Sequence, residues 1–229
     1  MHITSWCTHP FFAQSAGRLR LVVDYSRLNK VMIHNKYPIH LMTEQRDQVH
    51  DTHIFTKLDL KEGVYLIRVG KGDEWQTPFW TRYEQHQYRV MPFGLVNAPA
   101  TFQTMMNEIL GEFVYQAVVE YIDDMLFYSK TVEEHIILVL KVLERLGEAR
   151  RAIWLEKRVF HVKLVDHLGN VVAPDGVTMN EKKVESVNAW RASASVKDVQ
   201  IFIGFANLNR QFIKNLSAIC TLITNLLKG

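Results

Sequence analysis

The sequence predicts an α/β (α+β) fold: strands and helices are mixed up to a turn at Ala173-Pro174-Asp175-Gly176, and a small all-helical part follows. Three observations carry this. Apolar and polar residues alternate along IFTKLDL (54–60), the period of a strand. Apolar residues recur at helical spacing after Asn97 and again after Thr131. Beyond Asn180 only helical patterns remain, and residues 178–229 carry seven Lys/Arg against three acids.

The elements follow in order. Residues 20–24 (RLVVD) read as a strand. In 54–60, Ile54, Thr56, Leu58 and Leu60 face one way and Phe55, Lys57 and Asp59 the other. Val64–Val69 reads as a further strand, and 79–91, rich in aromatic and polar residues, as irregular strands. Asn97-Ala98-Pro99 opens a helix, because proline lacks the N–H that would find no partner there. Phe102, Met105, Met106, Ile109 and Leu110 form its apolar face and Gly111 its stop. Ala117–Ile122 and Met125–Ser129 read as a hairpin with Asp123-Asp124 at its tip. Thr131-Val132-Glu133-Glu134 is a capping box. Behind it Ile136, Val139, Leu140, Leu143 and Leu146 are expected to form a buried stripe. Short strands are expected around Val159–Val165 and Leu168–Val172. Helices are expected from Asn180, from Ser195 (with Val199, Phe202, Ile203 and Ala206) and around Ile219, Leu222, Ile223, Leu226 and Leu227.

Composition narrows the function classes. The chain has 229 residues, 48% hydrophobic and 22% charged, with mean hydropathy −0.08. These values exclude a disordered tail and a collagen-like repeat. No apolar run approaches the roughly 20 residues of a membrane span, and the start MHITSWCTHPFF lacks the pattern of a secretory signal. Cys7 and Cys220 stand near opposite ends, which argues against a disulfide scaffold and for a reducing compartment. The net charge is only +3, but residues 178–229 contribute +4, so a basic module follows a near-neutral one. That suits a polyanion partner, and equally a solvated helical surface. His50-x-x-His53 lacks companion ligands for zinc, and Gly70-Lys71-Gly72 is too short for a phosphate loop.

Chemistry concentrates in three acids. Asp59 is polar on a strand with an apolar opposite face, and Asp123-Asp124 lie at a hairpin tip. Taken singly, each reads as a solvated polar face or as turn chemistry. Taken together, carboxylates from two neighbouring strand ends make a hard oxygen site suited to Mg²⁺. Two such ions are the usual device for in-line nucleotidyl transfer.

The order of surrounding motifs adds a resemblance. It is carried by Val23-Asp24-Tyr25-x-x-Leu28-Asn29-Lys30, Tyr37-Pro38, Lys57-Leu58-Asp59-Leu60, the run from Met91-Pro92-Phe93-Gly94 through Asn97-Ala98-Pro99 to Gln103, and Tyr121-Ile122-Asp123-Asp124-Met125-Leu126. Leu168-Gly169, Asp175-Gly176 and Ser195-Val196-Lys197 complete the series. In this order, over about residues 18–228, the chain resembles the reverse transcriptases of gypsy-type long-terminal-repeat retrotransposons.

The resemblance implies a right-hand polymerase palm with truncated fingers and a helical thumb. Partial fingers would span 1–35 and 67–98, the catalytic palm 36–66 and 99–172, and the thumb 173–229. The implied activity is that of an RNA-directed DNA polymerase, a nucleotidyltransferase using two Mg²⁺ (or Mn²⁺) ions. Asp59, Asp123 and Asp124 match the metal-binding catalytic carboxylates, with the Leu60 carbonyl as an added ligand. Arg20 matches the finger arginine on the triphosphate, and Glu62, Gly63 and Val64 the turn facing it. Phe93 and Gly94 match the loop against nucleotide and template, and Lys157 aligns near the lysine proposed to protonate pyrophosphate. Tyr121, Lys182, Lys183, Lys197 and Arg210 would touch nucleic acid, mainly its phosphates. The implied partners are an RNA or DNA template with its primer duplex, deoxynucleoside triphosphates and other parts of a Pol polyprotein, with no membrane. The implied location is intracellular, in a cytoplasmic particle or the nucleus.

The departures carry expectations too. Val64 stands where the family usually has the aromatic ring that blocks a ribonucleotide 2′-hydroxyl, so weaker exclusion is expected, unless Tyr65 reaches the site instead. Ala13-Gln14-Ser15-Ala16-Gly17 lacks the family's finger-loop lysine. The fingers are short and nothing follows the thumb, so the chain is expected to be a piece of a polyprotein, or a degraded or incorrectly assembled copy of one. The alternative function is a catalytically impaired remnant that retains only nucleic-acid binding.

Overall fold

The computed structural model describes residues 9–15, 18–38, 48–61, 63–114, 116–190 and 195–225, without the side chains of residues 14, 15, 18, 20 and 64. The chain divides into two compact units, Met1–Lys163 and Leu164–Gly229.

In the first unit, β1 (Phe11–Ser15) and β2 (Arg18–Val22) form an antiparallel hairpin, followed by the short helix α1 (Ser26–Asn29). The central strand is β3 (Ile54–Asp59). Strands β4 (Pro78–Trp80) and β5 (Gln85–Gln87) make a small ribbon, and helix α2 (Ala98–Leu110) starts with proline in its first turn, as expected. Hairpin β6 (Val118–Tyr121) and β7 (Asp124–Ser129) follows, then helix α3 (Val132–Glu148) and β8 (Val159–Val162). The main sheet has the order β6-β7-β3-β8, with all pairings antiparallel. Thus β3, flanked on both sides, buries Leu58, Phe55 and Thr56 completely.

Helices α2 and α3 cover one sheet face. Phe102, Met106 and Leu110 from α2 and Leu138, Val142 and Leu146 from α3 join Leu58, Leu60, Val118, Met125 and Phe127 in one core. The Thr131 hydroxyl accepts from the Glu134 N–H, the cap that the sequence indicates. The stripe below it differs from expectation. The buried residues are His135, Leu138, Val139, Val142 and Leu146, whereas Ile136 and Leu140 are 43% and 61% exposed. The reason is His135. Its Nε2 meets the Thr56 hydroxyl at 2.7 Å and its Nδ1 the Ser129 hydroxyl at 2.8 Å, so a fully satisfied polar side chain turns the helix face.

The strand expected at Val64–Val69 is instead a 3₁₀ turn, Gly63–Leu66, followed by an isolated bridge from Arg68 to Val90. Both places beside β3 are taken by β7 and β8, and the segment pairs instead with the chain around Val90, the Met91 N–H donating to the Ile67 carbonyl at 2.8 Å.

The second unit holds β9 (Val165–His167), β10 (Asn170–Ala173) and β11 (Gly176–Met179), in the order β11-β10-β9. Helices α4 (Glu181–Asn188), α5 (Val196–Leu208) and α6 (Leu216–Asn225) follow. Asn180 and Ser195 cap α4 and α5 through the N–H groups of Lys182 and Asp198. Trp190 packs on Phe202 and Phe205 with ring centroids 5.5 Å away. Among the described residues, no helix is long and apolar enough to cross a membrane.

Candidate active site

Antiparallel register brings the acids together. β3 and β7 set Asp59 opposite Asp124, and β6 and β7 set Tyr121 opposite Asp124. The hairpin turn is therefore Ile122-Asp123, not the expected Asp123-Asp124, because Asp124 already pairs with both neighbouring strands. Ile122 takes φ 56°, which a β-branched residue seldom adopts. The favoured two-residue hairpin turns, types I′ and II′, take positive φ at their first turn position. The Leu60 N–H donates to the Asp123 carbonyl at 3.0 Å and ties the turn to the end of β3.

Two lysines stand among these acids. Lys157 Nζ donates to Asp59 Oδ2 at 2.9 Å, and Lys57 Nζ lies 3.6 Å from Asp124 Oδ1. Lys157 arrives because its segment folds back along β3: the Trp154 N–H donates to the Asp59 carbonyl at 2.9 Å and the Lys61 N–H to Ala152 at 2.8 Å. The hydrogen bond to Asp59 raises the Lys157 ammonium above its ordinary value.

Asp59 is only 6% exposed, and its Oδ1 is buried without a hydrogen-bond partner. Burial pushes Asp59 up, but hydrogen bonding with Asp124 and Lys157 and the charges of Lys57 and Lys157 hold it below the ordinary carboxylate value. Burial, the hydrogen bond to Asp59 and the charges of Asp59 and Asp123 push Asp124 up to about 6, against Lys57. Crowded, partly buried carboxylates of this kind are what a hard divalent cation neutralises, and the unsatisfied Oδ1 of Asp59 suits such an ion. Among the described residues, no group of three His, Cys, Asp or Glu side chains is arranged to hold a metal ion. Lys57 and Lys157 offset part of the charge of these acids.

The other expected residues fall in several places. Gly63 packs between α2 and the hairpin: a Cβ there would lie 2.8 Å from the Phe102 ring and 3.7 Å from Asp123 Cβ. Glu62 lies outside the described residues, as do the side chains of Arg20, on β2, and Val64, in the Gly63–Leu66 turn. Phe93 meets Tyr65 edge-on at 4.9 Å. Gly94 has φ +98°, and the Asn29 amide clamps its loop, donating to the Gly94 carbonyl at 2.8 Å and accepting from the Val96 N–H at 2.9 Å. Lys182, Lys183, Lys197 and Arg210 all belong to the second unit. Lys183 lies along the β9–β10 turn, its Nζ 3.4 Å from Asn170 Oδ1.

Sequence reasoning gave no role to Lys57, although alternation had already placed it on the Asp59 face of β3. It also missed Phe102 as the floor beneath Gly63 and the buried pair Gln103–Glu120, since no local pattern marks contacts across elements.

Comparison with known proteins adds the lineage. Transposon Tf2-3 and Tf2-7 polyproteins of Schizosaccharomyces pombe are each 38% identical to this chain over 222 residues, 97% of it. The chain spans 17% of the length of those polyproteins. Among solved structures, a foamy viral protease-reverse transcriptase in complex with double-stranded DNA matches with a TM-score of 0.88 at 24% identity, covering 96% of this chain and 38% of that one. The same viral enzyme in complex with an RNA/DNA hybrid matches with a TM-score of 0.84 at 23% identity, covering 96% and 30%. These likenesses show that the fold is that of a polymerase palm. A family model described as reverse transcriptase (RNA-dependent DNA polymerase) matches residues 13–189, and with that match the chain belongs to the reverse transcriptase family.

Proposed function

We propose that this chain is the polymerase portion of a retrotransposon polyprotein and catalyses RNA-directed DNA synthesis. The reaction is template-directed attack of a primer 3′-hydroxyl on the α-phosphate of a deoxynucleoside triphosphate. One observation carries the reading: Asp59 and Asp124 face each other across β3 and β7, with Asp123 in the adjoining turn. Asp59, Asp123, Asp124 and the Leu60 carbonyl are the groups that would hold two Mg²⁺ or Mn²⁺ ions, with Asp124 the more peripheral. Such ions lower the pKa of the attacking hydroxyl and stabilise the leaving pyrophosphate.

The chain's own residues supply the rest. Lys157 holds a proton on Nζ beside Asp59 and would give it to the departing pyrophosphate. Lys57 limits the proton affinity of Asp124 and so favours its ionised form. Arg20 and the Gly63 turn would receive the triphosphate, and the Phe93-Gly94 loop would pack on nucleotide and template. The basic residues Lys182, Lys183, Lys197 and Arg210 would hold the primer–template duplex by its phosphates. The Tf2 relatives and the viral enzymes with bound DNA or RNA/DNA hybrid support this assignment of partners.

Primer extension with Mg²⁺ on an RNA template and on a DNA template tests the reading, with Asp123→Asn as control. Extension that Asp123→Asn abolishes is the expected result. Duplex binding without extension would select the alternative, a remnant that only binds nucleic acid.

A further inference from the structure

Glu120 is an acid that the site described above does not use. It sits on β6 beside Tyr121, and its cross-strand partner is Met125, which is fully buried in the core. Alternation along the strand turns Glu120 away from the face of Tyr121 and Asp124, toward the helices. Glu120 and Gln103 of α2 are each 1% exposed. Gln103 Nε2 donates to Glu120 Oε1 and, at 3.3 Å, to Asn107 Oδ1. Asn107 in turn donates to the Tyr37 hydroxyl at 2.6 Å. Two acceptors in this buried pair have no partner, Glu120 Oε2 and Gln103 Oε1. Buried acceptors without donors are costly. One proton on Oε2 removes both deficits, because a neutral Glu120 accepts at Oε1 and donates from Oε2 to the amide oxygen.

We infer that Glu120 is a positioning residue, held as the neutral acid in a two-hydrogen-bond acid–amide pair with Gln103 that fixes the hairpin bearing Asp123 and Asp124 on α2. Burial by itself pushes Glu120 up to about 8, with no charged neighbour contributing. Its surroundings agree. The ionisable residues of β7, Asp124 and Tyr128, alternate onto the other face. Glu108, the ionisable residue of α2, lines a surface groove with Arg68 and Arg151. The same helix carries Phe102 against Gly63, so α2 supports both the Gly63 turn and the acidic hairpin. The pairing stands on geometry alone, while its consequence for turnover rests on the proposed polymerase activity.

The experiment uses the whole chain and Glu120→Gln, which keeps two-point pairing but cannot titrate. Infrared or carbon-13 spectra of the parent protein should show a protonated carboxyl at neutral pH that Glu120→Gln lacks. Amide exchange at Tyr121–Asp124, expressed relative to Glu120→Gln, should lose protection as pH rises through about 8. Primer extension by the parent should fall over the same range relative to the variant. Absence of the protonated carboxyl at neutral pH, or an exchange ratio constant across the range, overturns the inference. If neither protein extends a primer while the first two results hold, the polymerase reading fails and the pairing stands.

Discussion

Gly63→Ala is a sharp test of how the site is built. The added methyl would sit 2.8 Å from Phe102 Cε2 and 2.9 Å from Cζ, closer than carbon atoms approach. Phe102 cannot swing aside, being fully buried in the core with Met106 and Leu110. Either the ring or the Gly63–Leu66 turn must move. Overpacking of this kind costs roughly 1–3 kcal/mol. The more restricted unfolded chain offsets about 0.4–1 kcal/mol of that. A net loss on the order of 1 kcal/mol follows. Urea unfolding followed by tryptophan fluorescence reads it as a lower midpoint. Phe102→Leu removes the clashing ring atoms at its own cavity cost. In that background the alanine penalty should nearly vanish, giving a coupling energy of about 1 kcal/mol. An equal penalty in both backgrounds would refute the packing argument. Because Asp123 Cβ lies 3.7 Å from the same point, Gly63→Ala should also slow primer extension.

The other predictions concern pH, selectivity and salt. Burial, with the His161 charge adding to it, lowers His135 to about 4. The folded state therefore binds fewer protons than the unfolded chain below the ordinary value of 6.5, so stability is full above that value and falls toward about pH 4. The loss should be on the order of 2–3 kcal/mol and absent from His135→Gln, as read by urea midpoints across that range. Val64→Tyr should raise discrimination against ribonucleotides in primer extension, and an unchanged ratio would discard the idea that Val64 loosens exclusion. Lys182→Gln with Lys197→Gln should weaken duplex binding without regard to sequence and reduce the slope of log K against log salt by about 2. An unchanged slope would remove these lysines from the nucleic-acid interface.

Much of the fold was legible because its signals are local. Pro99, Thr131, Asn180 and Ser195 mark helix starts through backbone groups within three residues of themselves, and the structure puts helices at all four. The two-strand hairpin before Ser129 was legible for the same reason, though its turn lies one residue earlier. The exposed Ile136 and Leu140 were misread because helical spacing cannot tell a core face from its neighbour when a histidine is the buried anchor. The segment after Gly63 differs from expectation because apolar residues suggest a strand whether or not a place beside the neighbouring strand is open, and both places beside β3 are filled by β7 and β8.

By itself the sequence determined the helix starts and caps, the central strand and the three acids, since each depends on neighbours along the chain. Tertiary structure alone decided that β3 lies between β7 and β8, and that register sets Asp59 against Asp124. It also placed Lys57, Lys157 and Phe102 around those acids. Pairing partners and register are settled by which faces can be buried together, and that competition among distant segments leaves no mark on any one of them.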